Sequence, residues 1–221
     1  MNYLTSLTLL LGSASLAFAT PSGLNNIPTA DTPAQGDVVI QAWSNFGEDR
    51  DTDFNMGFKT GFDVWGQKFE LGADSALFPN DSGPVVLQFK YVQNLWEGGK
   101  LAVGIANLAL GDDNIDRAGD PFSYALISQT IAGSLRAHAG FGFQTDNNSI
   151  LVGLDKTFKV LDRDLQLRTD FVQIQDQDQW LGSLGFLYVV HPNVVVEGWA
   201  SQPFDDGDTI YTAKLNFVIK F

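Results

Sequence analysis

Apolar residues recur at every second position through most of this chain, and the closing eleven residues, YTAKLNFVIKF (211–221), show it most plainly. Tyr211, Ala213, Leu215, Phe217, Ile219 and Phe221 share one parity, while Thr212, Lys214, Asn216 and Lys220 share the other. Successive side chains of a strand point to opposite sides, so this spacing builds a strand with one apolar and one polar face. A soluble edge strand seldom finishes this way, because its apolar row and unpaired backbone would recruit other chains.

The stretch resembles the closing strand of bacterial outer-membrane β-barrels, which ends on Phe after outward apolar residues two apart. That resemblance implies an all-β fold, a transmembrane antiparallel up-and-down β-barrel. It implies the bacterial cell outer membrane as location, with lipid and lipopolysaccharide around the barrel. It also makes Tyr211, Leu215, Phe217, Ile219 and Phe221 the signal read by the barrel-assembly machinery. The amino-terminal end agrees. Residues 1–19 hold an apolar run at 7–11 and small residues ending Ala17-Phe18-Ala19, the pattern of a cleaved secretory leader, although no Lys or Arg opens it. No other stretch approaches the ~18 apolar residues of a membrane helix, so any span is built from strands.

Twelve such strands are expected, near 38–46, 54–62, 67–78, 85–93, 100–110, 122–131, 135–144, 150–159, 165–174, 180–190, 194–201 and 211–221. Most have about the 9–11 residues that a tilted membrane strand needs. The sixth alternates poorly; ten strands result if it and a neighbour are loop. Residues 20–36, with Pro21, Pro28 and Pro33, read as an extended periplasmic lead-in to a barrel over 37–221. Within it, GLNNIPTAD (23–31) loosely resembles the lead-in of several uncharacterised outer-membrane barrels, which assigns no activity.

The connections sort by parity. Segments 47–53, 79–83, 111–121, 145–149, 176–179 and 203–208 all carry Asp, and together hold more than half of the 26 acidic residues. The intervening turns are mostly shorter and less acidic. Long loops at one end and tight turns at the other are the outer-membrane pattern. Alternation alone also suits a secreted barrel with its apolar face around a ligand. Aromatics near strand ends, among them Trp43, Phe46, Trp65 and Trp180, favour membrane girdles instead.

On this face assignment the lumen holds Lys59, Lys68, Glu70, Lys90, Arg136, His138, Asp155, Arg168, Asp170 and Lys214, with Asp74 and Glu197. Charges of both signs with many glycines suit a wet interior, and the short loops offer no obvious plug. The expected function is a small passive channel, porin-like, for small polar solutes or ions. An outer-membrane enzyme, an adhesion or structural barrel without an open pore, and a secreted ligand-binding barrel are the alternatives. His138 could pair with Ser128, Ser134, Asp155 or Asp170, but nothing in the spacing brings them together, and no enzyme is expected. Asp112, Asn114, Asp116 and Asp120 alternate like part of a calcium loop, but Arg117 replaces the sharp-turn glycine, and no metal or cofactor is expected. A net charge of −13 without a basic patch excludes nucleic acid as a partner, and the absence of Cys excludes disulfides and thiol chemistry. The oligomeric state is left open by the residues.

Overall fold

A computed structural model describes residues 21–48, 50–78, 84–109, 120–145, 148–174, 179–205 and 207–221. The expected leader, 1–19, and the alternating acids Asp112, Asn114 and Asp116 lie outside the described residues.

Twelve strands form one closed antiparallel barrel: β1 (Val38–Gly47), β2 (Arg50–Val64), β3 (Gln67–Phe78), β4 (Val86–Trp96), β5 (Gly99–Ala109), β6 (Phe122–Ala132), β7 (Leu135–Phe143), β8 (Asn148–Val160), β9 (Arg163–Ile174), β10 (Gln179–His191), β11 (Val194–Pro203) and β12 (Ile210–Ile219). Each strand pairs with its neighbours in sequence, and β12 returns to β1 in unbroken register from Val38↔Ile219 to Phe46↔Tyr211. The open edge that the terminal strand would present is thereby removed. β2 begins earlier than the alternation suggested. Residues 50–53 belong to the strand, where Asp53 receives the Asn45 backbone N–H at 3.0 Å.

Tight hairpins join the strands at one end, which we call the short-turn end. Trp65 with Gly66, and Leu161 with Asp162, all take positive φ, as both central residues of a type I′ turn must. The odd-numbered connections gather at the opposite, loop end.

The two parities face as alternation requires. Phe58, Leu71, Phe89, Phe141, Leu154, Phe186, Phe217 and Ile219 are exposed on the outside, whereas Gln41, Glu70, Asp74, Lys90, Asp155 and Asp170 are buried inside. An inverted surface, apolar without and charged within, is stable only where lipid replaces water around the barrel. The assembly-signal residues Tyr211, Leu215, Phe217 and Ile219 lie on this outer face, and Phe221 follows the end of β12, almost fully exposed. Trp43 is a correction: it lies on the inner face with Lys214 Nζ 5.3 Å above its ring, so it belongs to no girdle.

β6 lies where it was expected, and one further correction explains its weak alternation. β6 alternates poorly because both of its faces are apolar: Tyr124 and Leu126 point inward and are buried, while Ile127 faces out. Their inward partner is the lead-in, which was expected to run extended outside the barrel. Instead, residues 21–33 fold back inside it, and 34–36 lie at its short-turn rim. Leu24, Ile27 and Ala30 pack with Val92, Ala102, Tyr124, Leu126 and Leu151 in one buried cluster. The plug that the short loops do not supply comes from the amino-terminal side.

Candidate functional site

The lumen segment is a miniature hairpin followed by a strap. Leu24 N–H bonds Ile27 O at 2.9 Å and Thr29 N–H bonds Ser22 O at 3.1 Å, which leaves Asn25 and Asn26 at the tip. The strap then descends to the short-turn end, where Gly36 N–H bonds Gly61 O at 3.1 Å. A segment so enclosed has to satisfy its own backbone groups, and lumen side chains do this.

The tip rests on Asp170 of β9. Its Oδ2 accepts the backbone N–H groups of Asn25 and Asn26 at 2.8 and 2.9 Å, and its Oδ1 accepts the Ser183 hydroxyl at 2.5 Å. The Asn26 side chain pairs with Ser201 at 3.1 Å, and that of Asn25 donates to Ser183 at 2.8 Å. At the hairpin base, Ser22 N–H bonds Glu70 at 2.8 Å, while Lys90 Nζ donates to Ser22 O at 2.9 Å and stands 3.3 Å from Glu70. Arg168 spans the hairpin and the wall, reaching Leu24 O at 3.3 Å and Glu197 at 2.6 Å. Glu197 also accepts from Asn216 at 2.6 Å.

The strap is held by a chain of polar groups across β6, β7 and β8. Ala30 N–H donates to Ser128 Oγ at 2.9 Å, Ser128 Oγ lies 2.7 Å from His138 Nδ1, and His138 Nε2 lies 2.8 Å from Asp155 Oδ2. A neutral imidazole protonated on Nε2 satisfies all three contacts: it donates to the carboxylate and accepts the serine hydroxyl. Arg136 then bridges Asp155, at 2.8 and 3.0 Å, to Asp31 of the strap, at 2.8 and 2.9 Å. Burial acts to raise the Asp31 carboxyl, but Arg136 beside it, with Lys90 further off, holds it below the ordinary carboxylate range.

The structure thus brings Glu70, Lys90, Arg136, His138, Asp155, Arg168 and Asp170 around one segment. Lys59 of β2 and Lys214 of β12 are buried near Glu197, and Lys68 is exposed on the inner face at the short-turn end. Ser128 joins His138 and Asp155, a convergence that sequence spacing did not reveal. Its signal was the β6–β7–β8 register, which sets Ser128, His138 and Gly153 side by side and Arg136 opposite Asp155. Ser183 and Ser201 were missed, since nothing distinguishes them from other lumen hydroxyls until the tip is placed.

No protein-family model matches the chain, and neither does any curated protein. Solved structures do match. A KdgM porin superposes with a TM-score of 0.59 at 12% identity, over 81% of this chain and 98% of that one. The chain has the fold of the outer-membrane porins. A KdgM porin in complex with disordered oligogalacturonate gives 0.57 at 10% identity, covering 82% of this chain and 98% of the porin. A NanC porin gives 0.52 at 10%, with 81% and 98% covered. At such identities the likeness extends to the barrel, not to individual lumen residues. Porins are channels, not enzymes.

Proposed function

We propose that this barrel is an outer-membrane channel for small polar solutes. The observation that carries the reading is the inverted barrel itself: a porin-fold wall, apolar outside, whose inner face sets Lys59, Lys90, Arg136, Arg168 and Lys214 against Glu70, Asp74, Asp155, Asp170 and Glu197. A wall of mixed sign creates a transverse field, which orients polar solutes more than it selects one sign of ion. Lipid and lipopolysaccharide are its surroundings, and the 211–221 stretch is its signal to the barrel-assembly machinery. Bilayer recordings on refolded protein test the channel: solute-dependent current supports it, and a folded barrel that is silent in every form opposes it.

One observation favours a second reading. Ser128, His138 and Asp155 have the connectivity of a nucleophile, a base and an orienting acid. Two features count against catalysis. The serine oxygen already accepts Ala30 N–H, and Asp155 is shared with Arg136. We therefore read the array as an anchor for the strap. A fluorophosphonate probe decides it, since labelling that vanishes in Ser128→Ala would establish a hydrolase.

A further inference from the structure

We infer that residues 21–34 are a tethered gate: a plug that leaves and re-enters the lumen as a unit, swinging on Gly36 at the short-turn end. The inference rests on the channel reading and supplies its regulation.

Three independent features carry it. First, the wall is cut to receive the segment. A side chain at Gly153 would strike Leu24 and Ile27, and one at Gly61 would strike the backbone of Pro33 and Ala34. Neither glycine takes positive φ, so the backbone does not require glycine at these two sites, whereas the plug does.

Second, the segment is docked but not woven in. The strand pairing that closes the barrel is complete without it, and within the lumen it is held by side chains of the wall. Ordering each of its residues costs ~1–2 kcal/mol of backbone entropy, which the exchangeable contacts oppose. Water that entered a vacated lumen would satisfy Asp170, Glu70 and Lys90 in place of the segment. Displacement exposes the Leu24, Ile27 and Ala30 cluster but breaks no strand pairing, so it costs less than opening the barrel.

Third, the anchorage is concentrated. It lies between residues 22 and 31: Glu70 of β3 and Lys90 of β4 hold the hairpin base, Asp170, Ser183 and Ser201 hold the tip, and Ser128 and Arg136 hold the strap. The path then leaves the lumen beside Gly61 on β2. Beyond it Gly36 adopts φ +82°, next to the carbonyl of Phe221. A glycine in the left-handed region is a natural pivot, because it crosses between backbone basins without a Cβ penalty.

The chain has no cysteine, so a reversible lock can be built cleanly. Asn26→Cys with Ser201→Cys, oxidised, should fix the tip and reduce bilayer current at least tenfold; dithiothreitol should restore it. Gly153→Leu should open the channel at least tenfold and, combined with the cysteine pair, should abolish cross-linking. Heat-modifiable gel mobility confirms that each barrel is folded. Failure of the pair to cross-link, retention of the cross-link in Gly153→Leu, or equal current from oxidised and reduced pairs would overturn the gate. Loss of the cross-link in a folded Gly153→Leu barrel with no current would instead overturn the channel reading, since the displaced plug and the silent pore would then be seen together.

Discussion

Arg136 shows how much one side chain decides in this lumen. Its guanidinium is shared by Asp155 on the wall and Asp31 on the strap, so removing it leaves one buried carboxylate without its cation and releases the other. Hydrogen bonds to charged groups contribute about 1.5–3 kcal/mol each, so Arg136→Gln should favour the undocked segment by at least tenfold. The readout is the rate at which cysteine at Asn26 reacts with an impermeant thiol reagent, and an unchanged rate would remove Arg136 from the latch. Asp31 adds a pH dependence of defined sign. Its docked carboxyl titrates below the ordinary value of 3.8, held there by Arg136 and Lys90. Its contribution to docking is complete above that ordinary value and is lost as pH falls through the lower, docked one. Asp155 and His138 stand behind Arg136, with Asp155 Oδ2 2.8 Å from both Arg136 Nη2 and His138 Nε2. Current should therefore rise on acidification below about pH 4, and Asp31→Asn should remove that part of the rise while raising current at neutral pH.

Among the elements, β12 and β6 mark what sequence can and cannot disclose. β12 has lipid on one side and a polar lumen on the other, so its alternation maps directly onto its faces. Phe217→Arg, at a lipid-facing position, should destabilise the barrel by about 2–4 kcal/mol. Asn216→Ser, on the inner face, should cost far less. Urea titration of gel mobility compares them, and equal losses would mean that Phe217 does not meet lipid. Strand number, the closing strand and the parity of the connections were legible for this reason: each depends on local period-two geometry. β6 was placed correctly, but its apolar inner face was not explicable from sequence, because that face meets Leu24 and Ile27, a partner about a hundred residues away. A strand with apolar residues on both faces looks irregular when read alone. The proline-bearing lead-in was equally opaque, since Pro21, Pro28 and Pro33 fit an exposed extension as well as a lumen hairpin. The Ser128–His138–Asp155 array needed the register of three strands, and no single-strand pattern contains it.

At the scale of the whole molecule, the two ends of the barrel differ in charge. Among the described residues, the loop end exposes Glu48, Asp51, Asp120, Asp205 and Asp208. The short-turn end mixes Asp63, Glu97 and Asp162 with Lys68, Lys159 and Lys220, and Lys159 pairs with Asp164 at 2.7 Å. An exposed charge acts over about one Debye length, ~30 Å at 0.01 M salt but only ~10 Å at 0.1 M. The loop end therefore concentrates cations at its mouth in dilute solution, whereas the short-turn end, with its charges close to balance, does not. Oriented barrels opened by Gly153→Leu should show a cation-selective reversal potential when the loop end faces the dilute chamber. The preference should weaken when the gradient is reversed, and fade on both sides above ~0.1 M salt. Asp205→Asn with Asp208→Asn should reduce the dilute-salt preference and leave the high-salt conductance unchanged, because neither residue lines the wall. Orientation is fixed independently by a cysteine at Asp205 or at Gly98, labelled from one chamber at a time. Equal selectivity in both directions would place the selecting charges in the lumen, and anion preference would assign them to Lys59, Lys90 and Lys214.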